Sequence, residues 1–284
     1  MTVPPDELWL EPPPTLSNGR HWVARLALAL RQREPVVEQV KIPVRGLPPA
    51  LRGLRIAHLS DFHTGNLTRG SHIERVADIT QRLQPDLIAL TGDYVNRNPH
   101  DARFVAAALS RLRAPLGVQL VFGNHDHWIN IAVVLRHFAA AGLHPLCNEA
   151  CRLVYRGQEF WVVGTDSARR KRADLPRAMH GVPADAFKIL LAHEPDMAEY
   201  AAGYNIALQL SGHTHGGQIR LPWLGAPRLP RMGRRYSIGL SRTPHGWIYV
   251  TRGIGVSNPP IRFNCPPEIS LLTLEAATVT EQGD

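Results

Sequence analysis

Seven side chains of metal-binding type stand in five short motifs, HLSDFHTG, LTGDY, FGNHDHW, LLAHEPD and SGHTHGG. They are Asp61, His63, Asp93, Asn124, His193, His213 and His215. Imidazole nitrogens together with carboxylate and amide oxygens suit divalent Mn, Zn, Fe or Ni. Two such cations, about 3.5–4 Å apart, stabilise the attacking and leaving oxygens of a displacement at phosphorus. The set therefore predicts two divalent metal ions and chemistry on a phosphoester.

Asp93 is the candidate bridge between the two cations. A carboxylate bridges best because each of its oxygens can face a different cation, and Asp93 stands alone after the strand-like run LIALTG. The other six ligands then divide three and three. Two aspartates against four positive charges leave a surplus that attracts an anionic phosphoester substrate.

The order of the motifs resembles that of the calcineurin-like metallophosphoesterase superfamily, which has D-x-H, G-D, G-N-H-[DE], a lone His and G-H-x-H. All five blocks are present in this sequence. The resemblance implies two metal ions with these ligands: Asp61, His63 and His215 on one, Asn124, His193 and His213 on the other, and Asp93 bridging. We expect Gly92, Gly123 and Gly212 to let strand ends bend sharply next to these ligands.

The same resemblance assigns two catalytic residues outside the ligand set. His125 is expected to face the substrate phosphate, where it stabilises developing charge or protonates the leaving oxygen. Asp126 is expected to orient His125. Among the remaining histidines only His127 lies close enough in sequence to suggest a supporting role.

Three longer stretches narrow the resemblance to the bacterial YkuE- and YaeI-like phosphodiesterase branch. They are GLRIAHLSDFH, SGHTHGGQIRLP and VTRGIGVSNPPIRFNCPPEISLLTL, and the similarity runs from Lys41 to Leu274. The resemblance implies an α/β fold in which two mixed β-sheets pack as a sandwich flanked by helices.

Hydrophobic periodicity independently indicates an α/β protein. Short apolar runs that end in polar residues predict strands in VVEQVKIPV, LRIAHLSD, DLIALTGD, VQLVFGN, FWVVGTD, FKILLAH and IALQLSGH. Helical spacing is found in SHIERVADITQRLQ and DARFVAAALSRLR. Several motifs follow strands directly, as expected for open α/β sheets, whose sites form at the carboxyl ends of the strands.

The N-terminal region is predicted to differ from the rest. We divide the chain into an N-terminal extension, residues 1–40, and a metallophosphoesterase catalytic domain, residues 41–284. Residues 20–33 place Trp22, Leu26 and Leu30 at helical spacing among arginines, which predicts a short basic amphipathic helix. This helix could make a peripheral membrane contact on anionic lipid or pack against the catalytic domain, which is the simpler expectation.

Composition and targeting signals favour a cytoplasmic protein. Three cysteines form no C-x-x-C motif, and MTVPPDELWLEPPP has neither a basic start nor an apolar signal core. We therefore expect reduced thiols and neither export nor integral membrane insertion, and peripheral association with a membrane stays open.

The net charge of +8 favours an anionic partner without selecting one. Two arginine clusters contribute most. Residues 169–172 read as a solvated loop, whereas Arg220, Arg228, Arg231, Arg234 and Arg235 follow GHTHGG and could equally form a lip that grips a second anionic group.

The leading hypothesis is a dinuclear-metal phosphodiesterase or phosphatase that uses a metal-activated water. A nucleotide-lipid or other membrane-derived phosphoester is an attractive substrate. A metal-dependent nuclease is the rival enzyme, but no nucleic-acid-binding module is recognisable and a nucleic acid partner is not favoured. A non-catalytic metal-binding scaffold is the alternative outside enzymes, and the intact ligand set argues against it. The sequence leaves metal identity and oligomeric state open.

Overall fold

The computed structural model describes residues 34–65 and 68–277. The predicted amphipathic helix at residues 20–33 lies outside the described residues. Within residues 34–65 and 68–277, no helix has the length and apolarity needed to cross a bilayer.

The described residues form two β-sheets. The strands are β1 (Val36–Val44), β2 (Arg55–Leu59), β3 (Leu87–Leu90), β4 (Val118–Leu120), β5 (Glu149–Tyr155), β6 (Gln158–Gly164), β7 (Lys188–Leu191), β8 (Leu208–Ser211), β9 (Gly239–Arg242), β10 (Trp247–Val250) and β11 (Glu268–Ala276). The first sheet has the order β1-β11-β2-β3-β4, and the second has the order β5-β6-β7-β8-β10-β9.

Both sheets mix parallel and antiparallel pairs. In the first sheet β11 pairs antiparallel with β2 and parallel with β1, while β2, β3 and β4 are parallel. In the second sheet β6, β7, β8 and β10 are parallel, and β5 and β9 add antiparallel edges. The parallel strands bring several carboxyl ends to one edge of each sheet.

Helices cover the outer faces of the sheets. They are α1 (Gly70–Arg82), α2 (Ala102–Leu109), α3 (Asn124–Ile129), α4 (Ile131–Ala140), α5 (Leu175–Ala178) and α6 (Met197–Tyr200). In α1, Ile73, Val76, Ala77 and Thr80 are buried, and their spacing of three and four residues forms one continuous face.

Strand β3 is buried on both faces, which explains its uninterrupted apolar sequence LIAL. In β3, Leu87 and Ala89 join a core that also contains residues of the second sheet, whereas Ile88 and Leu90 face the core beneath the helices. Alternate side chains of one strand thus serve two cores. The result is the predicted sandwich of two mixed sheets flanked by helices.

All seven predicted strand segments contain strands, and both predicted helices form. The prediction VVEQVKIPV matches β1 in full, and β1 pairs with β11 along its whole length. The sheet therefore includes residues on both sides of position 40, where the domain boundary was predicted. β11 lies in a stretch for which no strand was predicted, because that stretch was interpreted only as a family signature.

Candidate metal centre and active site

The predicted metal ligands follow the carboxyl ends of five parallel strands, two or more from each sheet. Asp61 and His63 follow β2, Asp93 follows β3, Asn124 follows β4, His193 follows β7, and His213 and His215 follow β8. The fold therefore gathers residues separated by up to 154 positions, from 61 to 215, at one edge of the sandwich.

Five of these residues adopt left-handed backbone conformations. Their φ angles are 53° at Asp61, 45° at His63, 54° at Asp93, 69° at His213 and 52° at His215. Residues with a Cβ rarely adopt positive φ, and each such residue costs roughly 1–3 kcal/mol. The turns after β2, β3 and β8 thus hold strained residues whose side chains converge.

Two motif glycines are required for space rather than for a bend. Gly123 has an extended backbone with φ −104°, and a Cβ there would lie 2.2 Å from Asp93 Oδ1. A Cβ on Gly212 would lie 2.0 Å from Ser60 Oγ and 2.2 Å from Asp61 Oδ2. Only Gly92 has the positive φ, 94°, that the expected sharp bend requires.

Asp61, His63 and His215 form the first ligand group. The Nε2 atoms of His63 and His215 lie 2.9 Å apart, and His215 Nε2 lies 3.3 Å from Asp61 Oδ1. All three side chains are buried. Two imidazole nitrogens and a carboxylate oxygen that converge in this way are suited to a shared divalent cation.

Asp93 lies between this group and His193. Its Oδ2 is 3.5 Å from His63 Nε2 and 3.2 Å from His193 Nε2. His193 Nδ1 donates to the Thr91 carbonyl oxygen at 2.7 Å, which leaves Nε2 to face Asp93. Asp93 thus occupies the position between imidazoles that a bridging ligand requires.

Asn124 and His213 are the two remaining predicted ligands, and His213 belongs to none of the convergent groups of His and carboxylate donors among the described residues. Asn124 Oδ1 is buried and has no hydrogen-bond partner among the described residues. The His213 ring centroid lies 5.1 Å from that of His193, and His213 Nε2 donates a hydrogen bond to the Arg231 carbonyl oxygen at 2.8 Å. The buried orphan oxygen of Asn124 fits a cation ligand.

Burial controls the protonation of these groups. It lowers the pKa of His63 to about 3 and that of His213 to about 4, and it raises the pKa of Asp61 to about 6. Burial also acts to raise the pKa of Asp93, but the charges of His193 and His125 outweigh it and hold that pKa well below its ordinary value. Neutral His63 and His213 and an ionised Asp93 are in the forms that bind metals. His193 differs, because the charge of Asp93 outweighs burial and holds the pKa of His193 well above its ordinary value, so that a cation would have to displace its proton.

His125 projects at the rim of this group and is partly buried. Its ring centroid lies 4.6 Å from that of His63, and its backbone amide donates to Asp93 Oδ1 at 2.8 Å. The ring also contacts the exposed indole of Trp128, with centroids 5.4 Å apart. His125 is therefore tied to Asp93 through its backbone while its ring remains accessible.

The Asp126 carboxylate accepts hydrogen bonds from backbone amides, and the ring of His125 is not among its hydrogen-bond partners in the described residues. Its oxygens accept hydrogen bonds from the amides of Asp93 at 3.0 Å, Tyr94 at 2.8 Å, Val95 at 3.3 Å and Gly123 at 2.9 Å. Asp126 is fully buried, and burial raises its pKa to about 7 against the effect of these amides. The contacts of Asp126 thus fasten the turn that carries Asp93 to the start of α3.

A cavity of about 720 Å³ opens beside His213 and His215. Four arginines from both predicted clusters line it: Arg169, Arg228, Arg231 and Arg234. Among the described residues no carboxylate lies within ion-pair distance of these four guanidinium groups. The cavity is therefore a positively charged space next to the candidate metal ligands. Residues 169–172 are exposed, as predicted for a solvated loop, and Arg169 also lines this cavity.

Comparison with known proteins agrees with this geometry. A family model described as calcineurin-like phosphoesterase matches residues 54–217, which include every predicted ligand. This chain belongs to that family. It is accordingly a metal-dependent phosphoesterase, a hydrolase with a phosphoester substrate, and the predicted family is confirmed.

Relatives of this phosphoesterase align over most of its length. The metallophosphoesterase YkuE of Bacillus subtilis is 33% identical over 237 residues, covering 81% of this chain and 82% of YkuE. Phosphodiesterase YaeI of Escherichia coli is 33% identical over 227 residues, covering 78% and 82%. A transmembrane protein with a metallophosphoesterase domain from Danio rerio is 32% identical and matches over 86% of this chain and 58% of its own length.

Arg262 is a site residue that sequence analysis missed in this phosphoesterase. Its guanidinium is buried, lies 3.5 Å from His215 Nδ1 and donates to the carbonyl oxygens of Gly255 and Gly253. Burial lowers the pKa of Arg262 to about 10. Arg262 lies in the signature IRFNCPPEIS, but no pattern there distinguishes it from the exposed arginines.

Glu194 is a second missed residue, next to His193 in sequence. Its carboxylate accepts hydrogen bonds from Ser167 Oγ at 2.5 Å, the Ala168 amide at 2.9 Å and the Arg169 amide at 3.2 Å. These bonds hold the loop that brings Arg169 to the cavity. The only sequence signal for Glu194 was its position directly after the predicted ligand His193 in the motif LLAHEPD.

His127 supports the same loop instead of a metal ligand. Its Nε2 pairs with the Asp166 carboxylate, and the other oxygen of Asp166 accepts from Arg172 Nε at 3.0 Å. The Asp166 amide donates in turn to Asn148 Oδ1 at 2.9 Å. His127 therefore links α3, which begins with the predicted ligand Asn124, to the arginine-bearing loop.

Proposed function

We propose that this phosphoesterase hydrolyses a phosphodiester at two divalent cations. Asp61, His63 and His215 would hold one cation, Asn124, His193 and His213 would hold the other, and Asp93 would be shared by both. The observation that carries the proposal is that donor atoms of Asp61, His63, Asp93, His193 and His215 converge in overlapping buried groups beside an arginine-lined cavity. When bound, the two cations lower the pKa of water and neutralise phosphate oxygens.

His125 is the proposed general acid. Its ring is accessible, lies beside His63 and is anchored through its amide to Asp93 Oδ1. A phosphate placed against Asp93 and His63 would therefore have His125 within reach of the leaving oxygen, to which it donates a proton. Asp126 acts as a positioning residue because its carboxylate binds the amides of Asp93 and Gly123.

The cavity supports a substrate with a second anionic group. Arg169, Arg228, Arg231 and Arg234 offer more positive charge than a single phosphate requires, and guanidinium groups bind phosphates in a bidentate manner. A nucleotide-containing lipid or another membrane-derived phosphoester meets this requirement. We propose a cytoplasmic location, supported by three free cysteines, with a peripheral membrane contact through residues 20–33.

Hydrolysis of two chromogenic substrates tests this proposal. The chain is stripped of metal and reloaded with Mn²⁺, Zn²⁺, Ni²⁺ or Fe²⁺, and its turnover of bis(p-nitrophenyl) phosphate is compared with that of p-nitrophenyl phosphate. We expect metal-dependent turnover with a preference for the diester. His125→Ala should lower kcat by about 10²–10⁴-fold, whereas His180→Ala, at an exposed histidine, should leave kcat unchanged.

Metal analysis separates ligand roles from catalytic roles. We expect about two metal ions per chain in the wild type and His125→Ala, and a reduced content in Asp93→Ala. Full activity of His125→Ala, or unchanged metal content in Asp93→Ala, would contradict the assigned roles. Faster cleavage of single-stranded DNA than of either chromogenic ester would instead identify a nuclease.

A further inference from the structure

A short hairpin beside the active site carries an exposed apolar tip. We call residues 221–225 the apolar prong. Trp223 is fully exposed, and Leu224 and Leu221 are 70% and 38% exposed. The neighbouring Phe263 is 45% exposed. Single exposed apolar residues are ordinary on protein surfaces, but a contiguous group of large ones marks an interaction site.

The apolar prong is an ordered structure. The Leu221 amide donates to the Gly225 carbonyl oxygen at 2.8 Å, and the Gly225 amide donates back to Leu221 at 3.0 Å. Trp223 has a φ of 62°, a conformation that bulky residues rarely adopt. The turn thus holds the indole in solvent at a cost in backbone strain, which is typical of functional segments.

The apolar prong is continuous with the walls of the arginine-lined cavity. Gln218 and Ile219 line the cavity before the prong, and residues 227–231 line it after the prong. At the base, the Arg220 amide donates to the Phe263 carbonyl oxygen at 3.0 Å. The exposed tip and the active-site opening therefore belong to one rim.

Charge identifies the partner that suits this rim. Arg228, Arg231 and Arg234 line the cavity whose wall continues into the apolar prong, and within the described part of the chain none of them pairs with a carboxylate. Indole and leucine side chains enter the interfacial region of a bilayer, while arginines bind lipid phosphates. An anionic lipid surface offers both contacts at once.

We propose that the apolar prong docks this phosphoesterase on an anionic lipid bilayer, with Trp223 and Leu224 inserted between headgroups. The arginine-lined cavity then faces the lipid phosphates. The delivery of a membrane phosphoester to the metal centre rests on the proposed function, whereas the docking itself does not.

Vesicle sedimentation tests the docking with the full chain. Binding is measured to phosphatidylcholine vesicles with and without phosphatidylglycerol, for the wild type and for Trp223→Asp/Leu224→Asp. We expect the wild type to bind the anionic vesicles and the double variant to bind them more than about tenfold more weakly. Phe104→Asp changes an exposed aromatic residue on α2 and should bind like the wild type.

Fluorescence quenching locates the indole. Anionic vesicles that contain brominated lipid should quench part of the tryptophan emission of the wild type, and that part should be absent in Trp223→Phe, which retains an aromatic ring for binding. Unchanged quenching in Trp223→Phe would place another tryptophan in the lipid and overturn the proposal.

Three further results would overturn the docking. The first is failure of the wild type to bind anionic vesicles, and the second is undiminished binding of the double variant. The third is a dimer of the wild type without lipid that dissociates in the double variant, because it would identify a second copy of the chain as the partner. Sedimentation needs no turnover, so an inactive chain that still binds vesicles would refute only the proposed function. Equal hydrolysis of bis(p-nitrophenyl) phosphate by wild type and double variant verifies that the variant is folded.

Discussion

At the scale of single residues, the site depends on close approach and on strained backbone. Gly212 lies against Ser60 and Asp61 with no space for a Cβ, and Asp61 and His213 on either side of this contact have positive φ. The Asp61 carboxylate also accepts from the His213 amide at 3.0 Å. The turns after β2 and β8 are therefore held in contact by the close approach of Gly212 and by the hydrogen bond between Asp61 and His213.

Gly212→Ala should disturb the contact between these two turns. The added methyl must displace Asp61, so we expect a loss of stability of about 1–3 kcal/mol and a reduced metal content. Urea unfolding and metal analysis measure both. Gly203→Ala is the matched control because no atom lies within 4 Å of its added Cβ. Equal stability of Gly212→Ala and Gly203→Ala would show that the turns can separate without cost.

Asp126→Asn should weaken the turn that carries Asp93. One carboxylate oxygen becomes an amide nitrogen that cannot accept, so two buried backbone amides lose their partner at about 1–3 kcal/mol each. Urea unfolding should show this loss, and metal affinity should fall about 10–100-fold. Asp174→Asn, at an exposed helix cap, should change little because both residues cap well. An unaltered metal affinity in Asp126→Asn would remove its positioning role.

At the scale of elements, strand ends place the ligands and the outer helices cover the sheets. α1 covers the first sheet with a continuous buried face that begins with His72. Burial lowers the pKa of His72 to about 4, and its Nε2 is among the buried atoms without a hydrogen-bond partner. α1 thus contains a group that must stay neutral for the helix to pack.

His72→Leu should reduce the acid sensitivity of folding. The unfolded chain binds a proton at His72 below about pH 6.5, while the folded chain does so only below about pH 4. Wild-type stability therefore falls as pH decreases through this window, by up to about 3 kcal/mol from this group. Urea unfolding at several pH values should give a smaller decrease for His72→Leu. The exposed His180→Leu should follow the wild type, and a similar curve for His72→Leu would contradict the prediction.

At the scale of the whole molecule, charge is concentrated where the two sheets present their ligands. The net charge is +8, and four arginines from two distant loops meet at one cavity. Such a concentration raises the local density of anionic substrate and is screened by salt.

The kcat/KM for bis(p-nitrophenyl) phosphate should therefore fall as NaCl increases, chiefly through KM. Arg228→Gln/Arg231→Gln should raise KM about tenfold at low salt and flatten the salt dependence. Arg82→Gln/Arg136→Gln removes the same charge from exposed positions on α1 and α4 and should retain most of the dependence. Steady-state kinetics across a salt series measures both. Identical salt curves for the two variants would assign the effect to net charge alone.

Local patterns were sufficient for much of this structure. The runs LIAL and ILL predicted β3 and most of β7 because strands buried on both faces favour apolar side chains at successive positions. The motif order predicted the family and the candidate ligands because metal chemistry restricts residue types, and parallel strands bring their carboxyl ends to one edge. These features depend on neighbours in sequence or on a recognisable order.

Only the tertiary structure decided the remaining features. Arg169 and Arg231 line one cavity although they are far apart in sequence, and Arg262 reaches His215 from a later loop. Asp126 binds backbone amides across 33 positions rather than the adjacent ring. The exposure of Trp223 is decided by its hairpin, since tryptophan is usually largely buried and its residue type does not predict exposure. Such contacts depend on strand order and loop paths, which are set by packing of the whole chain, and local sequence contains no signal for them.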